Sequence, residues 1–150
     1  MTAIIRRARY PEDKSQLMDM WLALYTWITD PEAEWESMHE WFQREDAATF
    51  VAVDSATPDI LAGYADVGER SVVDGCEGPA AYLEAWYVKD QWRKQGIGEA
   101  LIRACETWAR SRGYSEMGSD ALLDNTESQR LHKKFGFDEY DRCVNFRKAL

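Results

Sequence analysis

Several things are scarce or missing in this chain of 150 residues, and each shortage removes a class of protein. No apolar run approaches the roughly 18 residues of a membrane-spanning helix, and the start MTAIIRRARYPEDK lacks the apolar segment of a secretory signal. Cysteine is limited to Cys76, Cys105 and Cys143, an odd number with neither paired nor metal-like spacing, which reads as a reduced, cytoplasmic protein that holds no metal. Basic charge is short as well: 18 Lys and Arg face 27 Asp and Glu, for a net charge of −9. That sign argues against nucleic acid or an anionic membrane as the main partner. No internal repeat, linker or low-complexity tract interrupts the chain.

What remains is 45% hydrophobic and long enough for one domain, residues 1–150, to bury a core of its own. The excess negative charge lies entirely in the first half, where residues 1–75 hold 15 Asp and Glu against 6 Lys and Arg. Seven of those acids, Asp30, Glu32, Glu34, Glu36, Glu40, Glu45 and Asp46, fall in one stretch whose single formal cation is Arg44. Such a run is either a solvated helix face, with acids near its N-terminus complementing the dipole, or a wall that attracts a polycation.

Periodicity orders the chain. Residues 2–9 read as an opening strand, and Leu17, Met20, Trp21, Leu24 and Ile28 give a helical apolar face over residues 14–28. Asp30-Pro31 breaks it, and Pro31 opens a second helix with Trp35, Met38, Trp41 and Phe42 on one face. Strands are expected at 48–54 and 60–67, joined by a turn at 55–59, and a third at 80–88, together an antiparallel meander. Residues 68–79 read as a loop or a strand end with a bulge. From Ile97 an apolar stripe recurs at helical spacing as far as Arg112-Gly113. A short strand at 114–120, a helix at 125–135 and one or two closing strands within 137–148 complete the reading.

The stretch 82–101, YLEAWYVKDQWRKQGIGEAL, joins an aromatic strand to a basic, glycine-containing turn and a long helix. That combination suits phosphate, because glycines let backbone approach, N–H groups point outward and the helix dipole favours negative charge. A Walker-type loop has no match, and a dinucleotide fingerprint lacks its third glycine and its place after the first strand. Arg93-Lys94-Gln95-Gly96-Ile97-Gly98 instead resembles the R/Q-x-x-G-x-G/A signature of the GCN5-related N-acetyltransferases (GNAT). It stands between a strand and a long helix, as in that family, and LDNTESQRLHKKFGF follows where the family has a related run. WLAL, YLEAWYV, SDALLDN and FGFDEYDRCVNFRKAL extend the resemblance over nearly the whole chain, closest to the aminoglycoside 6′-N-acetyltransferases.

The resemblance implies an α/β (α+β) fold whose mixed, mostly antiparallel sheet is flanked by helices and splayed between its fourth and fifth strands. It implies acetyl-CoA as co-substrate, a cationic amine of the aminoglycoside class as acceptor, no metal, and a homodimer. Donor binding then falls to Trp86, Tyr87, Val88, Arg93, Lys94, Gln95, Gly96, Ile97, Gly98 and Asn125, although Asn125 also suits a helix cap. Glu84 is the expected acid that takes the ammonium proton, with Asp120 a second acid for the amine; for Glu84 the other reading is an edge charge paired with Arg or Lys. His132 stands where many relatives place a Tyr to protonate the CoA thiolate, and Tyr140 is a weaker stand-in. Trp21, Trp27, Asp30 and Glu32 are expected at the substrate side. For Trp21, Trp27, Trp35 and Trp86 the alternative is core packing, the default for aromatics at helical spacing. Other amines, such as a polyamine, a metabolite or a protein N-terminus, and a non-catalytic acyl-CoA-binding module are the competing functions.

Overall fold

The structure is a computed structural model that describes residues 3–150. Residues 3–119 form one compact unit and residues 120–150 another. In the first, β1 (Ala3–Arg7), α1 (Lys14–Leu24), α2 (Pro31–Gln43), β2 (Ala47–Asp54), β3 (Thr57–Arg70), β4 (Ala80–Val88), α3 (Ile97–Ser111) and β5 (Met117–Ser119) follow in chain order. The strands lie side by side in that same order, antiparallel from β1 to β4, with β5 parallel to β4 after the α3 crossover. This is the mixed, mostly antiparallel sheet expected from the sequence. Thr2, placed in the opening strand by pattern, lies outside the described residues.

Burial explains the layering. β2 and β3 are buried at consecutive positions, the mark of strands covered on both faces. Leu17, Met20 and Met38 of α1 and α2 join Val51, Val53, Leu61 and Tyr64 in one cluster. Helix α3 packs on β2, β3 and β4, with Ile97, Leu101, Ile102 and Cys105 buried along one stripe. Burying a side chain the size of Leu or Ile is worth about 1.5–3 kcal/mol, so the three on this stripe, with Cys105 beside them, fix the helix to the sheet. Arg6 and the Arg9 amide bind the buried Asp13 carboxylate and pin the start of α1 to β1.

Three local expectations change. The first helix ends at Leu24, not residue 28, because Tyr25 leaves the helical conformation and its hydroxyl donates to the Glu84 carbonyl at 3.2 Å. The turn between β2 and β3 is shorter than 55–59. Asp54 accepts from the Ala56 amide, Asp54 pairs with Thr57, and register shifts at that end of the sheet take up Pro58 and Asp59. In the second unit α4 (Thr126–Lys134) is the element described, and residues 137–148 form no strand. Extended chain counts as strand only where a neighbouring strand shares its ladder, and Val144 and Phe146 are instead 67% and 92% exposed.

Candidate active site

The site in the first unit is built on β4. Its pairing with β5 stops at Leu83–Ser119, while the strand runs on to Val88. Between Asp66–Ala85 and Val67–Leu83 the register with β3 slips by one residue, and the extra residue on β4 is Glu84. A bulge re-aims side chains beside functional sites, and here it presents an acid where β4 and β5 part. Arg70 of β3 donates to both carboxylate oxygens of Glu84, at 2.8 and 2.6 Å, and stacks over the Tyr82 ring at 3.5 Å. Glu84 is thus held in one orientation by a bidentate pair, with its side chain still 23% exposed. Both sequence-level readings are visible in it, an arginine-paired charge and an accessible acid.

After β4 a 3-10 turn, Asp90–Trp92, leads into the glycine loop. Arg93 folds back on that loop, donating from Nε to the Val88 carbonyl at 2.9 Å and pairing with Asp90 at 2.9 Å. Lys94 and Gly96 both have left-handed φ, 60° and 79°, and Gly96 is the N-cap of α3. Among the described residues no side chain caps α3; its ladder opens with the Ala100 amide on the Gly96 carbonyl. The amides of Ile97, Gly98 and Glu99 therefore have no place in the helix ladder and, with the dipole, suit an anion. A Cβ on Gly98 would come within 2.8 Å of the Trp86 ring, so this glycine lets the indole lie against the first turn. Basic loop, open helix end and unladdered β4 edge fit a pyrophosphate carrying an extended arm. Gln95 donates to the Gln91 carbonyl within the loop.

The acceptor-side residues lie between and on the first two helices. Trp21 is half-buried against the core, and Tyr25 sits between it and Trp27, with ring centroids 6.2 and 5.2 Å away. Trp27 is 63% exposed and so is no core residue. Asp30 caps α2 by accepting from the Glu32 amide, and Glu32 is exposed in the first turn. Of the seven acids in residues 30–46, only Asp46 is in an ion pair among the described residues, with Arg44.

In the second unit, Asp120 is exposed at the first residue and Asn125 is the N-cap of α4, its Oδ1 accepting from the Ser128 amide at 3.1 Å. With Oδ1 spent on the cap, Asn125 would meet a ligand through its Nδ2 donors. His132 Nδ1 lies 2.7 Å from the Ser128 carbonyl oxygen and therefore carries a hydrogen, and the ring meets Phe137 edge-on. Only the imidazolium then bears a proton on Nε2. Tyr25, Asp66 and Arg70 did not emerge from the sequence. Asp66 alone left a trace there, as an acid inside an otherwise apolar strand.

Residues 14–137 match the model of the acetyltransferase (GNAT) family. The chain is 33% identical over 148 residues to an aminoglycoside N(6′)-acetyltransferase type 1 of Stenotrophomonas maltophilia, covering 97% of this chain and 93% of that protein. The enzyme of the same name from Serratia marcescens is 38% identical over 140 residues, covering 89% and 93%. Among solved structures, the aminoglycoside N-acetyltransferase AAC(6′)-Iy in complex with CoA superposes with a TM-score of 0.88 at 28% identity, covering 99% and 96% of the two chains. AAC(6′)-Iy in complex with the bisubstrate analogue CoA-S-monomethyl-acetylneamine superposes with the same score at 29% identity, over the whole of both chains. The glycine loop, the open end of α3 and the bulged β4 thus lie in a chain that belongs to the acetyltransferase (GNAT) family, among the aminoglycoside N(6′)-acetyltransferases.

Proposed function

We propose that this chain moves an acetyl group from acetyl-CoA to the 6′-amine of an aminoglycoside, and so confers resistance to that antibiotic. The observation that carries the reading is the position of Glu84, on a bulge where β4 leaves β5 and just ahead of the open N-terminus of α3. When bound, acetyl-CoA supplies the acetyl group as a thioester. The amides of Ile97, Gly98 and Glu99 and the side chain of Lys94 hold its phosphates, and the β4 edge at Trp86, Tyr87 and Val88 offers backbone groups to the pantetheine arm. Asn125 adds a donor to that arm. Arg93 shapes the loop, since its guanidinium is tied to Val88 and Asp90.

Each aminoglycoside ammonium is attractive to the acids of α2 and is not a nucleophile. Asp30 and Glu32 draw the cation, and Trp21 and Trp27 present flat apolar faces to the sugar rings. Glu84 takes one proton from the ammonium, directly or through a water, and this frees the nitrogen lone pair for attack. Arg70 occupies one lone pair on each oxygen, and each has another left to accept that proton. Asp120 acts as the second acid for the amine. The backbone N–H at Trp86 stabilises charge that develops on the carbonyl oxygen, and the imidazolium of His132 holds, on Nε2, the proton that the leaving sulfur takes up.

The family match runs through both compact units, which supports reading residues 1–150 as a single catalytic domain. Among the described residues no helix is long and apolar enough to cross a membrane, and we place the enzyme in the cytoplasm, without nucleic-acid or membrane partners. The exposed Val144 and Phe146 support a homodimer that covers them. Steady-state transfer to a panel of amines tests the function. Turnover with kanamycin supports it; turnover with spermidine and none with kanamycin overturns it. Glu84→Gln should lower kcat by about 10²-fold or more, and full rate in both Glu84→Gln and Asp120→Asn would remove the acid assignment.

A further inference from the structure

Behind the Glu84 bulge lies a second acid that the proposed reaction does not use. Asp66 of β3 is buried at 6% exposure, with Thr49 as its Cα partner on β2 and Ala85 on β4, next to Glu84. The Thr49 hydroxyl donates to Asp66 Oδ1 at 2.5 Å and accepts the Trp41 indole N–H at 2.9 Å. Among the described residues Asp66 is in no ion pair, so a neutral hydroxyl is the donor that meets a carboxyl deep in the sheet. A buried carboxylate without a cation is costly, and its proton is the cheapest way to remove the charge.

Room beside it is small. A cavity of about 10 Å³ lies between Asp66, Tyr64 and Thr49 on one side and Leu17, Met38 and Phe42 on the other, about the space of one water. The Tyr64 hydroxyl is buried there with no hydrogen-bond partner among the described residues. Tyr64, Asp66 and Arg70 occupy alternate positions of β3 and so share a face, and the last of them grips Glu84. The groups that titrate around Asp66 are Glu84 and Tyr87 on β4, Tyr64 on its own strand, Tyr25 past the end of α1, and Cys105 on α3. Helix α2 faces it with Met38, Trp41 and Phe42, none of which titrates. Burial pushes the Asp66 carboxyl up to about 7; the Thr49 hydrogen bond opposes this and the Glu84 charge adds to it.

We propose that Asp66 and Glu84 form a coupled acid pair, in which Asp66 gives up its proton when a ligand cation is held at Glu84. Glu84, with Arg70 paired to it, still adds to what keeps Asp66 protonated, and a second cation held at Glu84 acts in the opposite direction. Asp66 then ionises, and the cation gains a second negative charge beneath it. Binding strengthens its own site and expels a proton, with the coupling necessarily equal in both directions. Asp66 acts through Glu84 and is a positioning residue. The inference rests on the reading of Glu84 as the acid that meets the ammonium.

The test separates the two. Carbon-13 NMR of the aspartate carboxyls, assigned with Asp66→Asn, follows Asp66 against pH with no ligand in wild type and Glu84→Gln. The expected result is titration near neutrality in wild type and a downward shift of about half a unit or more in Glu84→Gln. Titration in the ordinary carboxylate range, or a curve that Glu84→Gln leaves in place, overturns the coupling. Calorimetric titration with kanamycin at pH 7, in two buffers of different ionisation heat, should then show more protons released by wild type than by Asp66→Asn. Equal proton release overturns the ligand-driven step. If kanamycin gives no binding heat, the substrate reading falls, and spermidine replaces it as the polycation in the same titration, with the same two outcomes for the pair.

Discussion

Replacing Asp66 by asparagine removes one ionisable proton from the interior while keeping the shape of the side chain. The carboxyl titrates near 7 in the fold, against an ordinary value of 3.8. At about 1.36 kcal/mol per unit, that displacement corresponds to roughly 4 kcal/mol of folding stability. The sign follows from which state holds the proton. Below about pH 4 both folded and unfolded chains are protonated and nothing is lost. Between about 4 and 7 the unfolded chain has released the proton and the folded one retains it, so wild-type stability falls as pH rises. Above 7 both are ionised, and the whole cost of a buried charge remains. Asp66→Asn still accepts from Thr49 and never ionises, so its stability lacks this slope. Any penalty for its buried amide hydrogens is the same at every pH, which makes the slope the decisive quantity. Urea unfolding at several pH values from 5 to 9 measures it, and the variant should gain on wild type by about 2–3 kcal/mol across that range. Parallel stability curves would refute a buried acid held protonated at Asp66.

Two further substitutions probe the scaffold. Gly98→Ala brings a Cβ within 2.8 Å of the Trp86 ring; it should cost about 1–3 kcal/mol of stability by overpacking and raise KM for acetyl-CoA more than KM for the aminoglycoside, read by steady-state kinetics with each substrate varied. Arg6→Ala leaves Asp13 buried with the Arg9 amide and a guanidinium 3.8 Å away, and denaturant unfolding should show a loss of about 2–3 kcal/mol, below the usual cost of breaking a fully buried pair because Arg6 is partly exposed.

The elements set by local pattern were legible, and those set by long-range pairing were not. The short apolar and aromatic run at residues 80–88 and the apolar stripe from Ile97 gave β4 and α3 nearly to the residue, since both are local patterns of residues that must be buried. The helix end at Leu24 was hidden, because Tyr25 leaves the helix for a carbonyl 59 residues away. The Arg70–Glu84 pair and the bulge at Glu84 depend on the register between β3 and β4, which a one-residue slip reverses and no local pattern encodes. Asp66 shows the same limit. An acid in the apolar run ILAGYADV is visible, yet only the fold reveals that among the described residues Thr49, and no cation, is set against it. For the glycine loop the motif located the open helix end, whereas the tie between Arg93 and Val88 required coordinates.

As the enzyme proposed, this chain acetylates one particular nitrogen. Incubation of the full chain with acetyl-CoA and kanamycin, followed by two-dimensional NMR of the purified product, tests it most directly. The expected product carries a single N-acetyl group on the 6′-amine, with one CoA thiol released per product. Acetylation at another amine, or CoA release with the antibiotic unchanged, would contradict it.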